Sequence, residues 1–134
     1  MPSSFDYAVI RIVPAVEREE FFNAGVILFC PAQRFLRALV HLDREKLETL
    51  APEVDTEDIQ RRLEAIEKIC AGDPSAGPIA HLEQRARFHW LIAPRSTLVQ
   101  VSAAHSGFCE QPESRLHRLF HEQVSPRPGT RDAL

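Results

Sequence analysis

The sequence has few glycines and few cysteines, and both shortages exclude classes of protein. Its five glycines form neither the GxGxxG pattern of dinucleotide-binding folds nor the GxxxxGK[ST] loop that holds nucleotide phosphates. Its three cysteines lie far apart and include no CxxC pair, so the chain has neither zinc-site spacing nor a redox motif. Separated cysteines in odd number favour free thiols in a reducing compartment, and we therefore expect a cytoplasmic protein.

Long apolar runs are also missing. The longest runs only from Val26 to Cys30, and the N-terminal MPSSFDYAVIRIVP lacks the basic start and apolar core of a signal peptide. The net charge of -3 provides no general attraction to nucleic acid or anionic lipid. A chain of 134 residues suits one domain. We expect residues 1–124 to form that domain and residues 125–134 to be a flexible tail.

Alternating apolar residues predict three strands in the first part of the chain, at residues 7–13, 25–30 and 35–42. The four residues between the second and third strands have the length of a hairpin loop. Pairing Phe29 with Leu36 and Ile27 with Ala38 collects apolar side chains on one face, which fixes the register.

Three helices are predicted from caps and from apolar residues at helical spacing. Asp43 is a suitable N-cap for a short helix, and Asp55 caps a longer one that ends at Gly72. The core face of the longer helix consists of Ile59, Leu63, Ile66 and Cys70. A last helix opens at Pro112 and buries Leu116, Leu119, Phe120 and Val124.

The stretch RFHWLIAPRSTLVQ, with the residues that follow it, predicts a second hairpin that turns at residues 93–96. In the expected register, Trp90 faces Val99 and Phe88 faces Val101, so both aromatic side chains belong to the core. Their burial argues against a nucleic-acid interface, which would need them as stacking platforms.

These elements predict a single α+β domain with a largely antiparallel sheet of about five strands and helices packed on one face. The opposite face would carry Tyr7, Val9, Leu39 and Leu91. Such a face is too apolar for comfortable exposure, which favours a protein partner or self-association.

The charge distribution points to one candidate binding site. Residues 84–109 include no Asp or Glu but carry three arginines. Arginine forks bind carboxylate or phosphate groups through two parallel hydrogen bonds. The predicted ligand or partner site consists of Arg87, Arg95, Ser96, Thr97, Gln100 and His105, centred on Arg95 at the turn. The alternative is that these residues only build a hairpin and that the arginines pair with carboxylates elsewhere, such as Glu17, Glu19 and Glu20.

Other combinations of reactive residues are weaker. His117 and His121 have helical i, i+4 spacing but no HExxH pattern and no evident third ligand, so we predict no metal site and no cofactor. Cys109 follows His105 by four residues, yet nothing orients the histidine as a base. The acids of residues 16–20 are interpreted as a solvated charge run instead of a magnesium site.

Three segments, YAVIRIVPAVEREEFFNAGVILFC, AIEKICAGDPSAGPIAHL and RFHWLIAPRSTLVQ, together resemble the bacterial domain-of-unknown-function family numbered three thousand and thirty-seven. The resemblance runs from Tyr7 to Val124 and implies no catalytic residue. Because genes of such proteins often lie beside genes for kinases of the HipA type, it implies a partner or regulator role.

The sequence therefore favours a non-catalytic cytoplasmic interaction or accessory protein that possesses no cofactor. The alternative is a small enzyme or binding domain for a phosphate-bearing or other anionic ligand, such as a nucleotide or nucleic acid, centred on Arg95.

Overall fold

The computed structural model describes residues 1–15, 20–95 and 97–124, and it confirms one α+β domain with a five-stranded antiparallel sheet. The strands are β1 (Ser3–Ala15), β2 (Glu20–Cys30), β3 (Phe35–Val40), β4 (Val99–Val101) and β5 (His105–Cys109). The α-helices are α1 (Arg44–Leu50), α2 (Thr56–Ala71), α3 (Gln84–Ile92) and α4 (Pro112–Gln123). The predicted tail, residues 125–134, lies outside the described residues.

Strand β1 is the centre of the sheet. It pairs with β2 on one side, and β2 pairs in turn with β3. The predicted register is confirmed, because Phe29 lies opposite Leu36 and Ile27 lies opposite Ala38. The connection between these two strands is a short 3₁₀ turn, Pro31–Gln33, that ends at Arg34 in the left-handed region.

On its other side, β1 pairs with two short strands in succession. Residues 10–12 of β1 pair with β4, and residues 3–7 pair with β5. Between β4 and β5, Ser102 keeps the chain attached to β1: its backbone N–H donates to the Val9 carbonyl, and its Oγ accepts from the Val9 N–H, both at 2.9 Å. Ser102 is buried, so its hydroxyl replaces a missing backbone partner inside the sheet.

The helix caps occur where the sequence predicts them. The Asp43 carboxylate accepts from the Lys46 N–H at the start of α1, and Asp55 accepts from the N–H groups of Glu57 and Asp58 at the start of α2. Gly72 ends α2 with φ 72°, a left-handed conformation that glycine adopts without steric cost. None of the described helices is both long enough and apolar enough to cross a membrane.

The predicted second hairpin is wrong. Residues 84–92 form helix α3 instead of a strand, and Pro94 follows its C-terminal end. Phe88 is buried as expected, but Trp90 is 41% exposed and His89 is also exposed. Some apolar residues of this segment alternate with polar ones and others are adjacent to each other. Their spacing therefore fits the two-residue period of a strand as well as the 3.6-residue period of a helix, and this ambiguity explains the wrong prediction.

Helices cover both faces of the sheet. The first three contribute to one core with Ile10, Ile27 and Phe29, whereas α4 packs on the opposite face against Val26 and Leu28. The expectation that all helices lie on one face is therefore corrected for α4. This placement also removes the argument that the second face must be covered by a partner, because α4 covers it within the chain.

Candidate functional site

Arg95, the centre of the predicted site, lies just after α3 and closes the end of that helix. Its Nη1 donates to the Leu91 carbonyl at 3.0 Å and to the Ala93 carbonyl at 3.4 Å, and its Nη2 donates to the Trp90 carbonyl at 2.7 Å. The last carbonyls of a helix have no partner within the helix, and a cation there is favoured by the helix dipole. Arg95 therefore has a structural role.

The guanidinium group of Arg95 also stacks on an aromatic ring. Its central carbon lies 4.4 Å from the centre of the Trp90 ring, a distance typical of cation–π contacts. None of the ion pairs among the described residues includes Arg95, so no described carboxylate balances its charge. Within the same described set, Nε–H and one hydrogen of Nη2 have no acceptor.

A groove of about 300 Å³ lies beside this stacked pair, between α2, α3 and β4. We call it the Trp90 groove; it is lined by Arg62, Ala65, Ile66, Ile69, Trp90, Leu91, Arg95, Thr97, Val99 and Val101. The lining is mostly apolar, and the two guanidinium groups stand among the apolar side chains. Arg62 is partly neutralised, because its Nε lies 3.0 Å from the Asp58 carboxylate.

Of the predicted site residues that the structure describes, two meet in this groove. Thr97 lines it with Arg95, although the Thr97 hydroxyl donates to the Val99 carbonyl at 2.7 Å. Gln100 alternates with Val99 and Val101 on β4, so its side chain is on the opposite face, where it donates to the Thr97 carbonyl. Ser96 lies outside the described residues.

Arg87 lies inside the domain and binds only the protein itself. It is 8% exposed, and its guanidinium group donates to the carbonyls of Leu82, Ile69 and Cys70 at 2.9, 2.8 and 2.9 Å. Two of these carbonyls belong to the C-terminal end of α2, so Arg87 ties α3 to that end. The structure gives Arg87 a packing role and no access to a ligand in the groove.

His105 is separated from the groove. It lies on β5 opposite Tyr7, and the two ring centres are 5.2 Å apart. Cys109, its imagined nucleophilic partner, is buried, and burial raises the pKa of its thiol above the ordinary value. A thiol held protonated is a poor nucleophile, so these two residues do not form an activated pair.

The other candidates do not assemble into a reactive centre. His117 lies 3.0 Å from the Glu113 carboxylate on the surface of α4, beside an Arg37–Glu113 ion pair. No group of three His, Cys, Asp or Glu side chains suited to a metal ion occurs among the described residues. Most of the acidic run at residues 16–20 lies outside the described residues, and so do two of the three acids suggested as arginine partners, Glu17 and Glu19.

The sequence pattern predicts Trp90 in the core and gives no indication of the groove. The groove brings together α2 residues and β4 residues that are about thirty to forty positions apart in the chain, and this proximity depends on α3 being a helix. One local signal was available, because Phe88 and Leu91 have i, i+3 spacing while Trp90 falls on a different side of a helix.

The fold and groove define an α+β domain with a small apolar recess bordered by arginines. A family model described as a protein of unknown function (DUF3037) matches residues 7–124, and the chain belongs to this family. Searches of curated proteins and of solved structures found no match.

Proposed function

We propose that this DUF3037 member is a non-catalytic interaction protein that binds a partner protein through the Trp90 groove. The partner segment has a large apolar side chain next to a carboxylate. One observation carries this proposal: a mostly apolar groove is bordered by an arginine whose charge is unpaired among the described carboxylates.

Trp90 supplies an exposed apolar surface at the groove. Tryptophan is a residue that usually finds cover, and it is enriched in the energetically important centres of protein interfaces. Here 41% of Trp90 is exposed at the mouth of a recess with Ile66 and Val101, both half-buried. Burying roughly 100 Å² of apolar surface in such a recess contributes about 2.5 kcal/mol before ordering costs.

Arg95 supplies a positioned hydrogen-bond donor group at the groove. Its contacts with the end of α3 and with Trp90 hold the guanidinium group in place, so a partner need not order a flexible side chain. Nε–H and one Nη2 hydrogen have no acceptor among the described residues, and a carboxylate is an acceptor that guanidinium groups bind well. A carboxylate on the partner would therefore complete the set of hydrogen bonds.

The size of the groove favours a peptide side chain over a nucleotide. Its volume of about 300 Å³ is at the lower limit of pockets that enclose small molecules. A phosphate group would need several converging donors, whereas Arg87, the second arginine of the predicted site, is already bound to three carbonyls. These features support the interaction role over the anionic-ligand alternative.

We propose that the protein acts in the cytoplasm, where its three buried, unpaired cysteines would stay reduced. The kinase-type partner implied by the family resemblance is a suitable candidate for the first binding test. A kinase would bind as a protein through an exposed acidic and apolar segment, without contributing to chemistry in this chain.

Copurification with a groove-filling variant tests the proposal. Ala65→Arg places a long side chain in the groove from a half-exposed helical position, whereas Gln60→Arg makes the same change of charge on another face of α2. We expect a protein captured by the wild type and by Gln60→Arg to be lost with Ala65→Arg, while thermal stability stays similar in all three. A protein that is captured equally by Ala65→Arg would refute the groove as its binding site.

A further inference from the structure

Strand β5 forms an open edge of the sheet. It pairs with β1 over five residue pairs, from Ser3 opposite Cys109 to Tyr7 opposite His105. No described strand pairs with the other side of β5, so half of its backbone N–H and C=O groups face outward. An unpaired row of this kind is a template for a further strand.

This edge lacks the features by which monomeric proteins prevent strand addition, which are charged side chains, proline and bulges. The sequence of β5, HSGFC, includes no Lys, Arg, Asp, Glu or Pro. Phe108 in this strand is 70% exposed, the largest exposure of any large apolar residue in the described chain apart from Met1. The opposite edge strand, β3, differs because it carries Arg37, which pairs with Glu113 of α4.

Packing inside the domain requires a residue without a side chain at the centre of β5, where Gly107 lies. A Cβ at this position would lie 2.9 Å from an atom of the Phe5 ring, so the core leaves no room for a side chain there. The two neighbours, Ser106 and Phe108, share the other face of the strand.

We propose that β5 pairs antiparallel with β5 of a second copy of this chain, about a two-fold axis at Gly107, to form a continuous ten-stranded sheet. In this register Ser106 of one copy lies opposite Phe108 of the other, and His105 lies opposite Cys109. The two Phe108 rings are then diagonal neighbours on one face, within reach of each other and shielded from water.

Self-pairing suits this strand better than a charged partner would. A two-fold interface must be complementary to itself, and β5 brings no carboxylate or permanently charged side chain against its own copy. Residues 84–109 include no acid at all, and the Asp6 carboxylate, which accepts from the Ser106 hydroxyl, belongs to β1, one strand further from the second copy. The proposal is independent of the Trp90 groove, whose lining includes no residue of β5.

Sedimentation equilibrium with an edge-blocking variant tests the proposal. We expect the wild type to reach twice its chain mass of 15.2 kDa as concentration rises. Phe108→Lys places a charge on the exposed edge and should remain at the mass of one chain, with the melting temperature that the wild type has at low concentration. The matched control is Leu82→Lys, because Leu82 is 45% exposed away from the sheet edge, and this variant should still double in mass.

Amide hydrogen exchange gives a second readout that depends on the proposed register. Outward-facing amides of β5 should exchange more slowly at high than at low protein concentration in the wild type, and equally at both in Phe108→Lys. A wild type that keeps the mass of one chain at all concentrations would overturn the proposal. A Phe108→Lys variant that still doubles in mass would do the same.

Discussion

Removal of the Arg87 side chain should destabilise the domain far more than removal of its neighbour Arg85. In Arg87→Met the volume is roughly kept, but the carbonyls of Leu82 and Cys70 lose the donor that Arg87 supplies, and the Ile69 carbonyl keeps only the Gly72 N–H. The hydrogen bonds to Ile69 and Cys70 are buried, and a buried carbonyl left without a partner, as at Cys70, costs about 1–3 kcal/mol, whereas the loss of one of two donors at Ile69 costs less. The bond to Leu82 is only part-buried, so water can replace it there. The variant also no longer buries a charge, which offsets part of this cost. We expect the free energy of unfolding to fall by about 2–4 kcal/mol.

The control, Arg85→Met, removes an exposed guanidinium group whose central carbon lies 5.4 Å from the centre of the Phe29 ring, and it should cost within about 1 kcal/mol. The assay is urea unfolding followed by far-UV circular dichroism and by fluorescence of Trp90, the only tryptophan. Arg87→Lys should lie between wild type and Arg87→Met, because an ammonium group restores charge without the planar fork. Equal free energies of unfolding for Arg87→Met and Arg85→Met would refute the packing role of Arg87.

Three further predictions concern the core and the cysteines. Leu63→Ala, at a fully buried position of α2, should lower the free energy of unfolding by about 2–5 kcal/mol. Arg62→Ala, on the exposed side of α2, should lower it by at most about 0.5 kcal/mol. Equal effects of the two variants in thermal denaturation would contradict the assigned helix face. Gly72→Ala should lower the free energy of unfolding by about 1–2 kcal/mol in the same assay, because φ is 72° and the new Cβ would lie 3.2 Å from Arg87 Nη1. An unchanged melting temperature would contradict this expectation. All three cysteines are buried, so none should react quickly with Ellman's reagent near neutral pH unless the protein is unfolded. Burial raises the pKa of the Cys70 thiol to about 12, so the free energy of unfolding should fall as pH rises above the ordinary thiol pKa, where only the unfolded Cys70 thiol ionises.

The first half of the fold could be predicted from the sequence because local and long-range signals agree there. Asp43 and Asp55 are caps by their own chemistry, and Gly72 marks a left-handed stop. The β2–β3 hairpin has only one register that buries Phe29 and Leu36 on the same face. Each of these features depends on residues close together in the chain.

The second half could not be predicted because its strands are short and their partner is distant. Strands β4 and β5 pair with β1, about ninety to one hundred positions earlier, and neither is long enough to show its own period. Without that pairing, the apolar residues of α3 and β4 look like two arms of one hairpin. The predicted hairpin places Arg95 at a loop tip, whereas the structure places it at the end of α3. The predicted site therefore groups Arg87 and His105 with Arg95.

The Trp90 groove is proposed to bind an apolar segment of a partner protein that carries a carboxylate. The most direct measurement is selection from a random displayed peptide library on the wild-type protein, with binding of the enriched peptides to Ala65→Arg and Gln60→Arg measured by the fluorescence of Trp90. We predict enrichment of a large apolar residue beside Asp, Glu or a free C-terminus, with binding retained by Gln60→Arg and lost in Ala65→Arg. Peptides without a carboxylate, or binding that Ala65→Arg leaves unchanged, would contradict the claim.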